Sequence, residues 1–194
     1  DGGLARYGGL IGALIIGCIA AKIRKVKLPP LLDLAGMGFL IGQGIGRWGN
    51  FFNHECFGAN TDSIFGMSSG RIQSYLLKNA DSIYAQTGVT VDAYETVQPC
   101  FLYESTLCLL GFLILHLYSK HRKFDGELFL MYLGWYGLVR FFIEGMRTDS
   151  LMVGHIRISQ LVAGVCFALS VCLIIGIRIH IKRVGDYVFY KDTE

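Results

Sequence analysis

Arg140, Glu144 and Arg147 fall at i, i+4 and i+7 in the run Tyr136-Gly-Leu-Val-Arg-Phe-Phe-Ile-Glu-Gly-Met-Arg-Thr-Asp149. On a helix that spacing puts two guanidiniums and a carboxylate on one stripe. Lipid would reject the stripe, so it must look into a helical bundle. There Glu144 can hold one guanidinium and leave the other for an anionic ligand. The alternative is a self-satisfied ion network that only locks helices together. Another arginine, Arg47, lies in Gly42-Gln-Gly-Ile-Gly-Arg-Trp-Gly-Asn-Phe-Phe-Asn-His-Glu-Cys-Phe-Gly58, directly after an apolar stretch that can enter a membrane. Asn50 and Asn53 offer donors and acceptors around it, and Glu55 can orient an arginine or a hydroxyl. The glycines let backbone N–H groups approach a bound phosphate. They serve close helix packing equally well, and no strand or βαβ unit makes them a dinucleotide fingerprint. Three arginines against Glu55 and Glu144 leave positive charge uncompensated near one membrane boundary. That is an anion site at a lipid surface, and it points to a phospholipid headgroup.

Two further clusters lie at the same boundary. Gln98-Pro-Cys-Phe-Leu-Tyr-Glu-Ser105 opens an apolar segment with a tyrosine and a carboxylate. Tyr103 is either an interfacial anchor or part of the site. Glu104 complements a helix dipole and also lies where it can steer Arg47 or Arg140. At the front, Gly2-Gly-Leu-Ala-Arg-Tyr-Gly-Gly-Leu-Ile-Gly12 sets the phenol of Tyr7 between glycines, as a packing motif with a belt tyrosine or as a site residue.

The elements that must position these groups are apolar helices. The 194 residues are 53% hydrophobic and 17% charged, with a mean hydropathy of +0.46, whereas a soluble domain carries about 25% charged residues. Segments of roughly 20 apolar residues span a bilayer, and the candidates are Gly8 to Ala21, Pro30 to Gly46, Cys100 to Ser119, Leu128 to Ile143 and Ile158 to Ile181. The expected fold class is all-α, a polytopic integral membrane bundle forming one domain over residues 1–194. Pro29 and Pro30 mark a helix start, and Asp125-Gly126-Glu127 punctuates another. Lys22, Arg24, Lys25 and Lys27, then Lys120, Arg122 and Lys123, then Lys182 and Arg183 make every second connection basic. The positive-inside rule places these in the cytoplasm. The acidic segment 53–98 is then an extracytoplasmic cap, with a short helix expected at Ile72 to Lys78, and the N-terminus lies outside. A chain that starts outside with no preceding signal implies upstream spans before Asp1.

The net charge of +3 is accounted for by the cytoplasmic loops and gives no support to nucleic-acid binding; membrane lipids suffice as partners. Cys18, Cys108, Cys166 and Cys172 fall in apolar spans, and Cys56 and Cys100 are read as unrelated thiols. The scattered carboxylates form no metal-ligand set, so neither metal nor cofactor is expected.

The run Gly46-Arg-Trp-Gly-Asn-Phe-Phe-Asn-His-Glu-Cys-Phe-Gly58 resembles the signature of the prolipoprotein diacylglyceryl transferase family. Gly2 to Gly12, Pro99 to Glu104, Arg140 to Arg147 and Ser159-Gln160 match in order, so the resemblance covers nearly the whole chain. It implies a multi-pass protein of the bacterial inner membrane, N-terminus outside and C-terminus cytoplasmic. The implied reaction moves the diacylglyceryl group of phosphatidylglycerol to the lipobox cysteine of a prolipoprotein and releases glycerol phosphate. Two features depart from the family: its N-terminal spans are absent, and Tyr7 stands where the family often has a histidine, so a histidine-base mechanism does not carry over.

On this reading Arg47 and Arg140 neutralise charge developing on the phosphate leaving group, and Glu144 and Glu104 orient them. Asn50 and Asn53 fix the headgroup, Glu55, Gly58 and Tyr103 complete the substrate site, and Arg147 supports it from behind. Tyr7 orients substrate or serves as the base. The rivals are a lipid-binding scaffold or transporter subunit without turnover, and a metal-dependent headgroup phosphotransferase.

Overall fold

The structure, a computed structural model, describes residue 12 and residues 15–148, 152–153 and 156–185. A helix over 15–23, α1, leads to α2 (Leu28–Phe52), α3 (Gly70–Thr87) and α4 (Cys100–Tyr118), which ends in a 3₁₀ turn at Ser119–His121. Then come α5 (Glu127–Met146), a short hairpin of β1 (Met152–Val153) and β2 (Ile156–Arg157), and α6 (Ile158–Val184). The strands pair antiparallel, Met152 with Arg157 and Val153 with Ile156. The fold is an all-α bundle.

Among the described residues, three helical stretches are long and apolar enough to cross a membrane: Leu28–Phe52, Cys100–His121 and Ile158–Val184. Of the five expected spans, the third and fifth are met closely. The second is extended to Phe52 at its far end, because the glycines and polar groups after Gly46 continue the helix instead of ending it. The first expected span lies partly outside the described residues. The fourth is the 20-residue α5, about 30 Å long, but Glu127, Arg140 and Glu144 interrupt its apolar run. These charges are tolerated because α5 is enclosed by α2, α4 and α6, whereas α6 turns Leu161, Val165, Leu169 and Leu173 outward.

Helix direction follows from the contacts. Gln43 meets Tyr132 and Arg47 meets Tyr136, an equal step along both chains, so α2 and α5 run parallel. Arg47 meets Glu104 while Gly44 meets Leu109 and Ser105, so α4 runs antiparallel to both. Gly137 lies against the Ala163 carbonyl and Gly134 against Ser170, making α6 antiparallel to α5. The approach at Gly137 leaves no room for a methyl, whose carbon would sit 2.8 Å from that carbonyl oxygen. Small residues at such crossings let membrane helices pack backbone to backbone.

These directions gather the starts of α2 and α5 and the ends of α4 and α6 at one end of the bundle, together with the basic clusters. An unexpected polar network closes that end. Asp33 of α2, buried, accepts the backbone N–H groups of Gly126 and Phe129, each at 2.9 Å, and so caps α5 from a neighbouring helix. Arg122 lies 3.3 Å from Asp125 and 3.8 Å from Asp33. Buried Glu127 accepts Arg178 Nε of α6 at 2.7 Å, and the same guanidinium donates to the Tyr118 hydroxyl at 2.6 Å.

At the other end, segment 53–98 forms a small lobe. Its helix α3 is longer than the expected Ile72 to Lys78, because Ser69 caps it through the Ile72 N–H at 3.2 Å and Gly88, at φ +70°, ends it. Ile72, Leu76 and Ile83 of α3 bury with Phe57, Met67, Val97, Cys56 and Cys100 in one cluster that continues into Phe101, Val139 and Ile143 of the bundle.

Candidate active site

Below that lobe, the carboxylate of Glu104 is wholly buried near the start of α4. Its Oε1 lies 3.0 Å from Arg47 Nη2 and its Oε2 lies 3.2 Å from Arg140 Nη1. One acid from α4 thus binds an arginine from each of the two parallel helices flanking it. Tyr136 completes the junction: its hydroxyl accepts from Arg47 Nη2 at 3.2 Å and donates to Glu104 Oε1 at 3.3 Å. One turn along α5, Glu144 lies 2.7 Å from Arg140 Nη2 and 3.7 Å from Arg147 Nη1. The acids are buried to 2% or less, while the side chains of Arg47, Arg140 and Arg147 keep 21%, 19% and 15% exposure. Carboxylates at the back thus hold three guanidiniums that each keep part of their surface exposed. Charge-assisted, geometrically fixed donors of this kind suit phosphate oxygens.

The sequence explains why these groups meet. Gln43 and Arg47 are one turn apart on α2, and Tyr132, Tyr136, Arg140 and Glu144 step by four along α5. The two stripes pair rung by rung, with Gln43 Nε2 donating to the Tyr132 hydroxyl at 3.0 Å one turn below the Arg47–Tyr136 contact. Ser105 Oγ donates to the Gly44 carbonyl at 2.7 Å and ties α4 to α2 beside Glu104. The far end of α5 is clamped too. Arg157 Nη1 donates to the Glu144 carbonyl at 2.7 Å, and Gln160 Nε2 to the Phe141 carbonyl at 3.1 Å. The Ser159-Gln160 motif therefore serves the helix that carries Arg140 and Glu144.

Other expected residues are distributed around this centre. Arg147 is not on the helical stripe, since α5 ends at Met146 and Arg147 is extended (φ −75°, ψ 137°); it still reaches Glu144. Its backbone pairs with Gly58. A Cβ on Gly58 would lie 2.9 Å from both the Met146 carbonyl and Gln98 Oε1, so Gly58 lets the α2 exit dock on the start of α4 and the end of α5. Asn50 lies one turn beyond Arg47, half-buried, and Asn53 is exposed at the end of α2. The chain then turns sharply, with His54 and Cys56 at φ +55° and +63° and the Glu55 N–H donating to the Asn50 carbonyl at 2.9 Å. Among the described residues Glu55 makes no ion pair with Arg47 or Arg140. Tyr103 packs against the lobe's core cluster instead of the arginines. Tyr7 lies outside the described residues. Sequence reading missed Tyr136, Tyr132, Gln43 and Arg157; the four-residue spacing to Arg47 and Arg140 is the signal that finds the first three.

The family model described as prolipoprotein diacylglyceryl transferase matches residues 1–176, a stretch that includes every expected site residue. The chain belongs to that family. Three family members named phosphatidylglycerol–prolipoprotein diacylglyceryl transferase illustrate the likeness. That of Listeria welshimeri is 41% identical over 183 residues, 93% of this chain and 61% of the relative. That of Staphylococcus saprophyticus is 40% identical over 188 residues, 96% of this chain and 61% of the relative. For Clostridium novyi the figures are 40% over 182 residues, 94% and 66%. The chain thus spans about three-fifths of the length of the first two relatives. Within the transferase family fold, the Arg47–Glu104–Arg140–Tyr136 junction is the polar centre nearest the 53–98 lobe, opposite the basic end of the bundle.

Proposed function

We propose that this chain carries the site at which the diacylglyceryl group of phosphatidylglycerol passes to the lipobox cysteine of a prolipoprotein. The cysteine attacks as its thiolate on a glycerol carbon of the lipid, a C–S bond forms, the bond from that carbon to the phosphate ester oxygen breaks, and glycerol phosphate leaves as an anion that keeps this oxygen. The observation that carries this reading is the pair of part-exposed guanidiniums, Arg47 and Arg140, locked on one buried carboxylate of Glu104. They neutralise the charge that gathers on the leaving phosphate, and being held beforehand they need little reorganisation. Glu144 fixes the second edge of Arg140. Asn50, Asn53 and Glu55, on the same helix end and the turn after it, face the headgroup or peptide. Tyr7 orients the substrate. The names of the relatives support phosphatidylglycerol and prolipoprotein as substrates.

The site lies at the end opposite the basic loops, so the positive-inside rule puts it, with the 53–98 cap and the N-terminus of the chain, on the extracytoplasmic face of the bacterial inner membrane, and the C-terminus in the cytoplasm. The test is thioether formation on a lipobox peptide in phosphatidylglycerol vesicles holding the complete gene product. Lipid-dependent thioether formation insensitive to chelators is expected. Lipid retention without turnover would instead assign a scaffold, and inhibition by chelators a metal-dependent phosphotransferase.

A further inference from the structure

Ile64 is the most exposed large apolar side chain among the described residues, at 92%, and its neighbour Phe65 is 62% exposed. They are the two central residues of the turn Ser63–Gly66, closed by the Gly66 N–H donating to the Ser63 carbonyl at 2.8 Å. Such positions ordinarily carry glycine, proline, asparagine or aspartate. A framework holds the pair outward. Thr61 N–H donates to the Thr96 carbonyl at 2.9 Å, Thr96 Oγ1 donates back to the Thr61 carbonyl, and the Ser63 N–H donates to Thr61 Oγ1 at 3.2 Å. Gly66 packs so closely on Thr96 that a Cβ would lie 2.7 Å from its Oγ1.

The turn stands beside the ends of two helices long and apolar enough to cross a membrane. A cavity of about 340 Å³ is lined by Trp48 and Phe51 from the last turns of α2, Phe101 and Leu102 from the start of α4, and Phe65 and Met67 from the lobe. Trp48, Phe51 and Phe52 are all exposed there, and Phe101 joins them with ring centroids 5.6 Å from Trp48 and 5.2 Å from Phe51. Aromatic side chains at span ends sit at headgroup level. The apolar turn is therefore continuous with the aromatic ends of two candidate spans, and the neighbouring Asp62 is exposed.

We propose that the Ser63–Gly66 turn is a membrane wedge: Ile64 and Phe65 enter the interfacial layer of the bilayer beside Trp48, Phe51 and Phe52 and hold segment 53–98 down over the Arg47–Glu104–Arg140 site. The partner is the lipid surface itself. The inference rests on the membrane placement of α2 and α4, not on the reaction, so loss of the proposed activity would leave it standing.

Nitroxide labels test it, attached to single cysteines replacing Ile64 or Phe65 in the complete gene product, with Cys18, Cys166 and Cys172 changed to serine. Tyr84 and Tyr94, exposed on the same lobe, provide reference sites. In phosphatidylglycerol vesicles the ratio of collisions with oxygen, which partitions into lipid, to collisions with an aqueous nickel chelate is read by power saturation. A ratio severalfold higher at 64 and 65 than at 84 and 94 is expected. Equal ratios would place the turn in water, and low access to both reagents would place it under protein; either result overturns the wedge. The two label positions guard against one label distorting the turn.

Discussion

At the scale of single residues, the site is a matter of donors held in fixed directions. Arg47→Lys and Arg140→Lys keep the charge but replace a planar fork with a point ammonium, which cannot grip phosphate and Glu104 together. Loss of one strong transition-state hydrogen bond is worth roughly 3 kcal/mol, so thioether formation should fall a hundredfold or more in either variant while the protein stays folded. Near-normal turnover in a folded lysine variant would remove that arginine from the mechanism. Tyr136→Phe keeps the ring and deletes the hydroxyl between Arg47 and Glu104. Two hydrogen bonds go, at about 1 kcal/mol each, and because Arg47 loses its lateral stay, kcat should drop more than lipid binding. Equal losses in both would mark the hydroxyl as a packing contact. Tyr7 is a different case. An unperturbed phenol, with a pKa of about 10, is almost wholly protonated at neutral pH, so an orienting role predicts a modest loss in Tyr7→Phe with no shift in the pH–rate limb. A dead Tyr7→Phe beside an active Tyr7→His, its limb moved toward the imidazole pKa, would make this residue the base.

At the scale of elements, α5 carries Tyr136, Arg140 and Glu144 and is fixed at both ends by side chains from its neighbours. Asp33 caps its start, and Arg157 and Gln160 satisfy its last carbonyls. Asp33→Ala removes a carboxylate from two first-turn N–H groups, for which about 1–2 kcal/mol is expected; thermal unfolding in detergent reads it as a lowered midpoint. An unchanged midpoint would mean that water accepts from the two N–H groups in its place. Gly58→Ala acts at the opposite end. Its methyl would meet the Met146 carbonyl, which is backbone and cannot swing aside, so a cost of about 1–3 kcal/mol follows. That substitution should also loosen the pairing of Gly58 with Arg147, seen as faster exchange of the Thr148 amide, which donates to the Phe57 carbonyl at 3.3 Å.

At the scale of the whole molecule, the alternating basic connections predict the sidedness of every loop. Single cysteines placed in 22–27 or 120–123 should resist an impermeant thiol reagent in intact cells, and cysteines in 53–98 should react; the reverse pattern would move the site to the cytoplasm. Apolar content, span length and the period of basic residues were readable in the chain, because burial in lipid and loop charge act on each segment locally. So were several groups that the structure brings into one ion network, since Arg140 and Glu144 lie one helical turn apart and Arg47 and Glu104 stand out in apolar surroundings. What lay beyond the sequence was which groups meet across helices. That Glu104 takes both arginines, that Tyr136 joins them, that Glu55 pairs with neither of them, that Tyr103 packs into the lobe and that Asp33 caps a helix more than ninety residues away depend on the parallel register of α2 and α5. That register is set by close helix packing and shared hydrogen bonds among residues far apart in the chain, and no single segment encodes it.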